Sequence, residues 1–210
     1  CGTFGDFSTF SFYANKHITA GEGGMILAKD KETHNKIQQM RNLDFNSDSR
    51  FKHDNFYWNS RLGGLQAALG YSQIKRKTYK KVIRKKQVQA KYYDELLSDF
   101  NNLFLRPLRE TSGVKNNYWV YGLVLKKSDI RDELLKRMFN DGIECRPFFW
   151  PLHRQPAYLK KYNSSVTLQN AEKVGFNGLY LPLGSHITKN KQRFIVQKLT
   201  HNLEKLINSG

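Results

Sequence analysis

The sequence has few cysteines, and it has no apolar run as long as a membrane-spanning helix requires. Its two cysteines, Cys1 and Cys145, are too few for a disulfide framework or a cysteine metal cluster, so we predict no metal site. No signal-peptide pattern is visible either. From these absences we expect a globular protein of the reducing cytoplasm, without membrane insertion.

Acidic residues are also scarce, since 18 Asp and Glu face 35 Lys and Arg and leave a formal net charge of +17. Such a charge favours nucleic acid, an anionic membrane or a small anionic ligand as partner. The densest basic run, residues 75–91, has apolar residues near helical spacing, and we interpret it as an amphipathic helix with a solvated basic face. Because no zinc-finger spacing, RNP-type strand or GXXG loop accompanies it, we expect no nucleic-acid ligand.

Hydrophobic residues make up 39% of the 210 residues and aromatic residues 13%, which is enough for a packed core. The patterns predict strands at 5–12, 24–28 and 116–125, and helices at 30–42, from 64 to about 100 with a break, from Ser128 to Gly142, near 168–175 and at 188–207. Asp30 and Ser128 are the expected N-caps, and Gly142 is the expected C-terminal stop. The alternation of strands and helices after residue 115 indicates a small α/β domain. Residues 2–12 already have the composition of a domain interior, so we expect a fragment that lacks upstream residues.

The segment SFYANKHITAGEGG, residues 11–24, places Lys16 among aromatic and small residues and ahead of a glycine-rich turn. A chemically active lysine needs partial desolvation and a rigid loop, and the aromatic neighbours and glycines supply both. The Ser11 hydroxyl could contact a phosphate. On the residues alone, however, a surface-loop lysine remains the simpler interpretation.

Three stretches carry a longer resemblance. GTFGDFSTFSFYANKHITAGEGG, residues 2–24, resembles the cofactor-lysine segment of the DegT/DnrJ/EryC1/StrS family, sugar aminotransferases that depend on pyridoxal phosphate (PLP). NFYWNSRLGGLQAALGYSQI, residues 55–74, resembles a second family segment, and NNYWVYGLVL with DGIECRPFFWPLH resembles the branch that aminates 4-keto sugars. The resemblance implies an α/β protein of the type I PLP-dependent aminotransferase fold. Residues 1–95 would be the C-terminal part of an incomplete large domain with its linking helix, and residues 96–210 the small C-terminal domain.

The resemblance also implies roles for individual residues. Lys16 would bind PLP covalently and transfer the proton during catalysis, and Ser11 would hydrogen-bond the PLP phosphate. Asn59 would reach that phosphate from the other subunit of a homodimer, and Arg61 would contact a substrate phosphate. The loop from Arg146 to His153 would shape the sugar-nucleotide pocket through Phe148, Phe149, Trp150 and His153.

Each of these residues also has a purely structural interpretation. Ser11 could satisfy a local backbone group, Asn59 could be a turn residue, and Arg61 could form a surface ion pair. The three aromatic residues could belong to the core, and His153 could be an ordinary loop histidine. The sequence departs from the family pattern at NSR, residues 59–61, where Asn-Tyr-Arg is frequent, and at RLGG, residues 61–64, where Arg-Met-Thr-Asn is frequent.

The resemblance implies an aminotransferase that converts a nucleotide-linked 4-keto-6-deoxy sugar to its 4-amino form, with glutamate as amino donor, in surface polysaccharide or O-antigen synthesis. Three alternatives stay open: a PLP-dependent dehydratase on the same fold, a non-catalytic relative, and a basic nucleic-acid-binding module. The dehydratases carry histidine at the lysine position, so Lys16 argues against them. The upstream groups that complete a PLP site in the family are not part of this sequence.

Overall fold

A computed structural model describes residues 2–45, 51–107, 113–162 and 165–208. The chain divides into two compact units, Cys1–Lys81 and Val82–Gly210, and each is described by itself. The predicted assignment of residues 1–95 to a large domain and 96–210 to a small one stays a prediction.

The first unit contains an antiparallel hairpin and two helices. Strands β1 (Phe7–Ser11) and β2 (Gly24–Ala28) pair in a register that runs from Phe7 opposite Ala28 to Ser11 opposite Gly24. Helix α1 spans Lys31–Arg41, and α2 spans Gly64–Lys75. The Asp30 carboxylate accepts the Thr33 amide at 2.8 Å, as an N-cap does. The two predicted strands and the Asp30 cap are confirmed.

The first unit leaves much of its apolar surface exposed. Ala20 is the only buried apolar side chain that the structure describes here, whereas Phe7 and Ile26 of the hairpin are 61% and 48% exposed. A cavity of about 780 Å³ lies beside the hairpin, between β2, α1 and Leu62. An apolar surface of this kind is an aggregation hazard unless other protein covers it.

Helix α3 (Thr78–Leu96) follows α2 after a two-residue break, and this break falls within the basic run 75–91 that the sequence pattern had predicted to be one helix. Lys77 adopts a left-handed backbone with φ of 55°, which an α-helix cannot accommodate. The inner face of α3 buries Gln89, Ala90, Tyr93 and Asp94. None of the helices in the described ranges combines the length and apolarity that crossing a bilayer demands.

The second unit is built on a four-stranded antiparallel sheet with the order β3-β4-β6-β5. Its strands are β3 (Phe104–Leu105), β4 (Tyr121–Leu125), β5 (Arg146–Pro147) and β6 (Gly178–Leu181). Its helices after α3 are α4 (Arg131–Asn140), α5 (Pro156–Tyr162), α6 (Gln169–Asn177) and α7 (Lys189–Asn208). The alternating burial of β4 turns Tyr121, Leu123 and Leu125 into the core. Leu134 of α4 and Leu199 of α7 belong to the same buried cluster. This unit is mixed α/β, as the alternation of strands and helices after residue 115 predicted.

Three details differ from the sequence-based expectations. Ser128 is not the N-cap of α4, because Asp129 takes a left-handed φ of 64°. The helix begins at Arg131, and its N-cap position is occupied by Ile130, which makes no side-chain capping hydrogen bond. The strand predicted at 116–125 is confined to β4. Helix α5 and the two-residue β3 were not predicted. Gly142 does follow the end of α4 with φ of 79°, as a C-terminal stop should.

A buried hydrogen bond ties α3 to the sheet. The Tyr121 hydroxyl donates to Asp94 Oδ1 at 2.7 Å, and both residues are almost fully buried. Burial, with the Asp94 bond as a second cause, raises the pKa of Tyr121 well above its usual value.

We expect Tyr121→Phe to lower the free energy of unfolding by about 2 kcal/mol, because it removes the donor to a buried carboxyl group. Urea denaturation of the 210-residue chain measures the loss. Tyr162→Phe is the matched control, since Tyr162 is exposed and should change stability by less than about 0.5 kcal/mol. Equal stability of the two variants would contradict the prediction.

Candidate active site

Lys16 lies in a closed loop between β1 and β2. The Phe12 amide donates to the Gly23 carbonyl at 2.8 Å, and the Ala20 amide donates back to the Phe12 carbonyl at 2.9 Å. Within the loop the Lys16 amide donates to the Tyr13 carbonyl at 3.0 Å, which forms a tight turn. The Lys16 side chain is half-buried. Lys16 therefore lies on a turn that backbone hydrogen bonds hold in place, and not on an open surface loop.

Gln73 of α2 holds this loop through both ends of its side-chain amide. Its Oε1 accepts the Thr19 amide at 3.1 Å, and its Nε2 donates to the Thr19 carbonyl at 2.7 Å. The sequence analysis did not identify this residue. Its signal was weak, because Gln73 is one of two glutamines on this helix, with Gln66, and its hydrogen-bond partner Thr19 lies 54 residues away in the sequence.

We expect Gln73→Glu to loosen the lysine loop, since a carboxylate cannot donate to the Thr19 carbonyl. Hydrogen exchange at the amides of Thr19 and Ala20 should become at least ~10-fold faster, which corresponds to the loss of about one hydrogen bond. Mass spectrometry of the peptide containing residues 16–21 measures it. Gln66→Glu on the same helix is the control, and equal exchange in both variants would contradict the prediction.

Two glycines allow the loop to close on its neighbours. Gly23 has a φ of 113°, and a Cβ there would lie 2.5 Å from Leu62 Cδ1. A Cβ at Gly24 would lie 2.7 Å from the Phe10 carbonyl oxygen. A side chain at Gly24 would push against the backbone of β1, and the positive φ at Gly23 disfavours any residue other than glycine.

Ser11 ends β1 with an exposed side chain, and its Oγ accepts the Tyr13 amide at 3.3 Å. Asn59 and Arg61 lie together on the segment before α2, where Asn59 Oδ1 accepts the Arg61 amide at 3.3 Å. Arg61 Nη1 donates to Asn42 Oδ1 at 2.6 Å. The structure thus places Ser11 with Lys16 on one loop, and Asn59 with Arg61 on another loop of the same unit.

A buried carboxylate anchors the segment that leads to Asn59. Asp44 Oδ2 accepts the amides of Asp54 and Asn55, each at 2.7 Å, and Asp44 is only 1% exposed. Burial alone would raise the pKa of Asp44, but the hydrogen bonds from Asn55 and Asp54 outweigh it and hold the pKa below its usual value. The charged carboxylate therefore fixes this loop at neutral pH.

The remaining predicted site residues belong to the second unit. The Phe148 ring packs over Gly122 and Gly178 and leaves no room for a Cβ at either position. Phe149 is 60% exposed and stacks on Trp119, with ring centroids 5.7 Å apart and planes 8° from parallel. Phe148 is thus a packing residue of the sheet, whereas the Trp119–Phe149 pair presents an aromatic surface.

The loop continues through Trp150 to His153. Trp150 Nε1 donates to the Arg154 carbonyl at 2.8 Å, and its ring meets that of Phe176 edge-on. His153 Nε2 lies 2.9 Å from Glu172 Oε1, and the side chains of both residues are mostly buried. The hydrogen bond with His153 lowers the pKa of Glu172 more than burial raises it. The sequence analysis did not identify Trp119 or Glu172.

A family model described as the DegT/DnrJ/EryC1/StrS aminotransferase family matches residues 1–200. The chain belongs to this family. It is 29% identical to GDP-perosamine synthase of Escherichia coli O157:H7 over an alignment of 198 residues. This alignment covers 94% of the chain and 52% of the relative. It is 36% identical to the Vibrio cholerae protein of the same name over 159 residues, and this alignment covers 75% of the chain and 42% of the relative.

Among solved structures, the aminotransferase TlmJ from Streptoalloteichus hindustanus matches with a TM-score of 0.86 and 25% identity, over 99% of this chain and 54% of that one. The chain spans about half the length of the curated relatives it matches. These matches confirm the α/β fold of the family's PLP aminotransferases, in an incomplete form. Relatives named for dTDP-linked and UDP-linked sugars also match, so membership of the family does not define the nucleotide.

The cofactor of the family is PLP, and the residues present fit one part of it. PLP carries an aldehyde and a phosphate, for which an amine and neutral hydrogen-bond donors are suitable partners. Lys16 supplies the amine, and the Ser11 hydroxyl and Asn59 amide are exposed. A Cβ built on Gly21, five residues after the lysine, would meet no atom within 4 Å, so the loop has open space. Among the described residues, no group of three or more His, Cys, Asp and Glu side chains is arranged to hold a metal ion.

Proposed function

We propose that this chain is the lysine-bearing part of a PLP-dependent aminotransferase that acts on a nucleotide-linked 4-keto-6-deoxy sugar. GDP-4-keto-6-deoxy-mannose is the first candidate substrate, and glutamate is the amino donor. The observation that carries the proposal is Lys16, half-buried on a braced loop inside a segment that matches the family. The similarity to GDP-perosamine synthases supports the choice of nucleotide and sugar.

In this proposal PLP, when bound, supplies the electron sink that makes the α-carbon of glutamate acidic. The Lys16 amine binds the cofactor between turnovers and then acts as the base that takes the α-proton of glutamate. The Ser11 hydroxyl donates to the cofactor phosphate. The Asn59 amide reaches the phosphate in the site of the other subunit, so the active enzyme is a homodimer.

The substrate carries a diphosphate, and its recognition falls to the basic and aromatic residues. Arg61 presents a planar guanidinium that can pair with two phosphate oxygens, and Asn42 already orients it. Phe149 and Trp150 offer exposed rings to the sugar or the base, and the mostly buried His153 belongs to the same loop. We place this reaction in the cytoplasm and in the synthesis of surface polysaccharide such as O-antigen.

Reduction of the cofactor onto its lysine tests the proposal. The chain is produced together with the part of its curated relatives that it does not cover, supplied with PLP and treated with borohydride, and its peptides are mapped by mass spectrometry. We expect the reduced pyridoxyl group on Lys16. A label absent from Lys16, or spread evenly over surface lysines, would overturn the proposed function.

A further inference from the structure

The loop of residues 148–154 presents two rings to solvent, and burial of these two rings is too small to set their orientation by itself. Phe149 is 60% exposed and Trp150 is 48% exposed. A loop that offers exposed aromatic rings to a ligand must be held from behind if the rings are to be preorganised.

The support comes from α6 and the start of β6. The Phe148 amide donates to the Gly178 carbonyl at 2.9 Å, which fixes the loop at its beginning. At Gly175 the Pro151 ring and the Phe149 carbonyl oxygen occupy the space that a Cβ would need, at 2.7 and 3.0 Å. The middle of the loop therefore lies directly on the helix backbone.

Glu172 fixes the end of the loop. Its Oε1 lies 2.9 Å from His153 Nε2 and 3.7 Å from Arg154 Nε, and it accepts the Leu168 amide at 3.3 Å. The Arg154 carbonyl in turn accepts the indole N–H of Trp150 at 2.8 Å. The Glu172 carboxylate is thus connected to the exposed Trp150 ring through His153 and Arg154.

A buried pair of this kind is poorly explained by stability alone. The Glu172 and His153 side chains are 16% and 10% exposed, and apolar residues of similar size would fill the same space without the cost of desolvating a charge. The His153–Glu172 pair does fix the orientation of the imidazole ring and the backbone conformation of residues 153–154.

We propose that Glu172 is a positioning residue for the sugar-nucleotide site, which acts through His153 and Arg154 and holds Phe149 and Trp150 in the conformation that binds substrate. This inference rests on the proposed function. Glu172 does not itself touch the substrate. Its removal weakens binding of the sugar nucleotide and leaves the reaction with glutamate, which does not use this loop, unchanged.

Kinetics of the holoenzyme test the proposal. Glu172→Ala should raise the KM for the sugar nucleotide about tenfold and change kcat by less than about twofold, as loss of uniform binding does. The half-reaction with glutamate alone, followed by cofactor absorbance, should proceed at the wild-type rate. Glu172→Gln keeps an acceptor for His153 and should raise KM by a smaller factor. Glu133→Gln, which removes the charge of an exposed pair with Arg137, is the matched control and should leave KM unchanged.

A KM in folded Glu172→Ala within twofold of the wild type would overturn the proposal, and so would an equal slowing of the glutamate half-reaction. If Glu172→Ala does not fold, the glutamine variant decides by the same criteria.

A wild-type holoenzyme that fails the glutamate half-reaction would instead contradict the proposed function. In that case fluorine NMR of fluorotryptophan-labelled protein decides on the positioning role. The Trp150 resonance, assigned with Trp150→Phe, should shift in Glu172→Ala, and an unmoved resonance would overturn the inference.

Discussion

Lys16→Ala is expected to abolish amino transfer, with a fall in kcat of at least ~1000-fold, because in the proposed function Lys16 is both the covalent anchor of the cofactor and the base for the α-proton. Production of 2-oxoglutarate from glutamate, in the presence of the keto sugar nucleotide, measures the loss. The backbone hydrogen bonds of the loop and those of Thr19 and Gln73 do not depend on the lysine side chain, so the fold should survive the substitution.

Lys29→Ala is the control for this experiment. Lys29 lies just after β2, is exposed and donates only its backbone amide to the Asp6 carbonyl in the bonds described, so activity should stay within about twofold of the wild type. If Lys16→Ala retained a tenth or more of the wild-type kcat, Lys16 would not be the reacting lysine.

Gly178→Ala is expected to destabilise the second unit by about 3 kcal/mol or more, as overpacking does when the obstructing atoms cannot move away. The added methyl group would collide with the Phe148 ring and with the Val174 carbonyl oxygen. The carbonyl belongs to the backbone of α6, and the ring packs over Gly122 of β4 and Gly178 of β6, so relief requires that the helix or the ring shift. Thermal unfolding monitored by circular dichroism measures the effect.

Gly70→Ala is the contrasting substitution. Gly70 lies inside α2, where a Cβ meets no atom within 4 Å, and alanine has the better helix propensity by about 1 kcal/mol. Stability should therefore stay the same or rise. A Gly178→Ala variant as stable as the Gly70→Ala variant would show that the packing of Phe148 on the sheet is looser than the structure describes.

Elements with a strong local signal were predictable from the sequence. The hairpin strands, the Asp30 cap and the long C-terminal helix α7 all follow from periodicity and from capping chemistry, which act over a few residues. The two-residue strand β3 carries too little periodicity to be recognised. Ser128 failed as a cap because the backbone at Asp129 turns the other way, and residue preferences do not report that.

The candidate site shows the same division. Lys16 was identified through a long motif, whereas its immediate neighbours alone also fitted an ordinary surface lysine. The partners that brace the site lie far along the chain: Thr19 and Gln73 are separated by 54 residues, and His153 and Glu172 by 19. Such pairings are set by tertiary packing, so one sequence without its fold gives no indication of them. The predicted roles of Ser11, Asn59 and Arg61 stay predictions.

The supports of the aromatic loop have a consequence for how this protein can change over evolutionary time. Phe149 and Trp150 are exposed, whereas the parts that hold them are backbone carbonyls, glycines and the Glu172 pair. Replacement of the exposed Phe149 by another aromatic residue would keep its stacking on Trp119 and should cost little folding free energy, whereas a side chain added at Gly175 or Gly178 would collide with the loop or with the helix backbone. In the proposed function, the rings can therefore change toward a new sugar more readily than the glycines behind them. A family that serves several nucleotide sugars is the outcome that such a separation of roles favours.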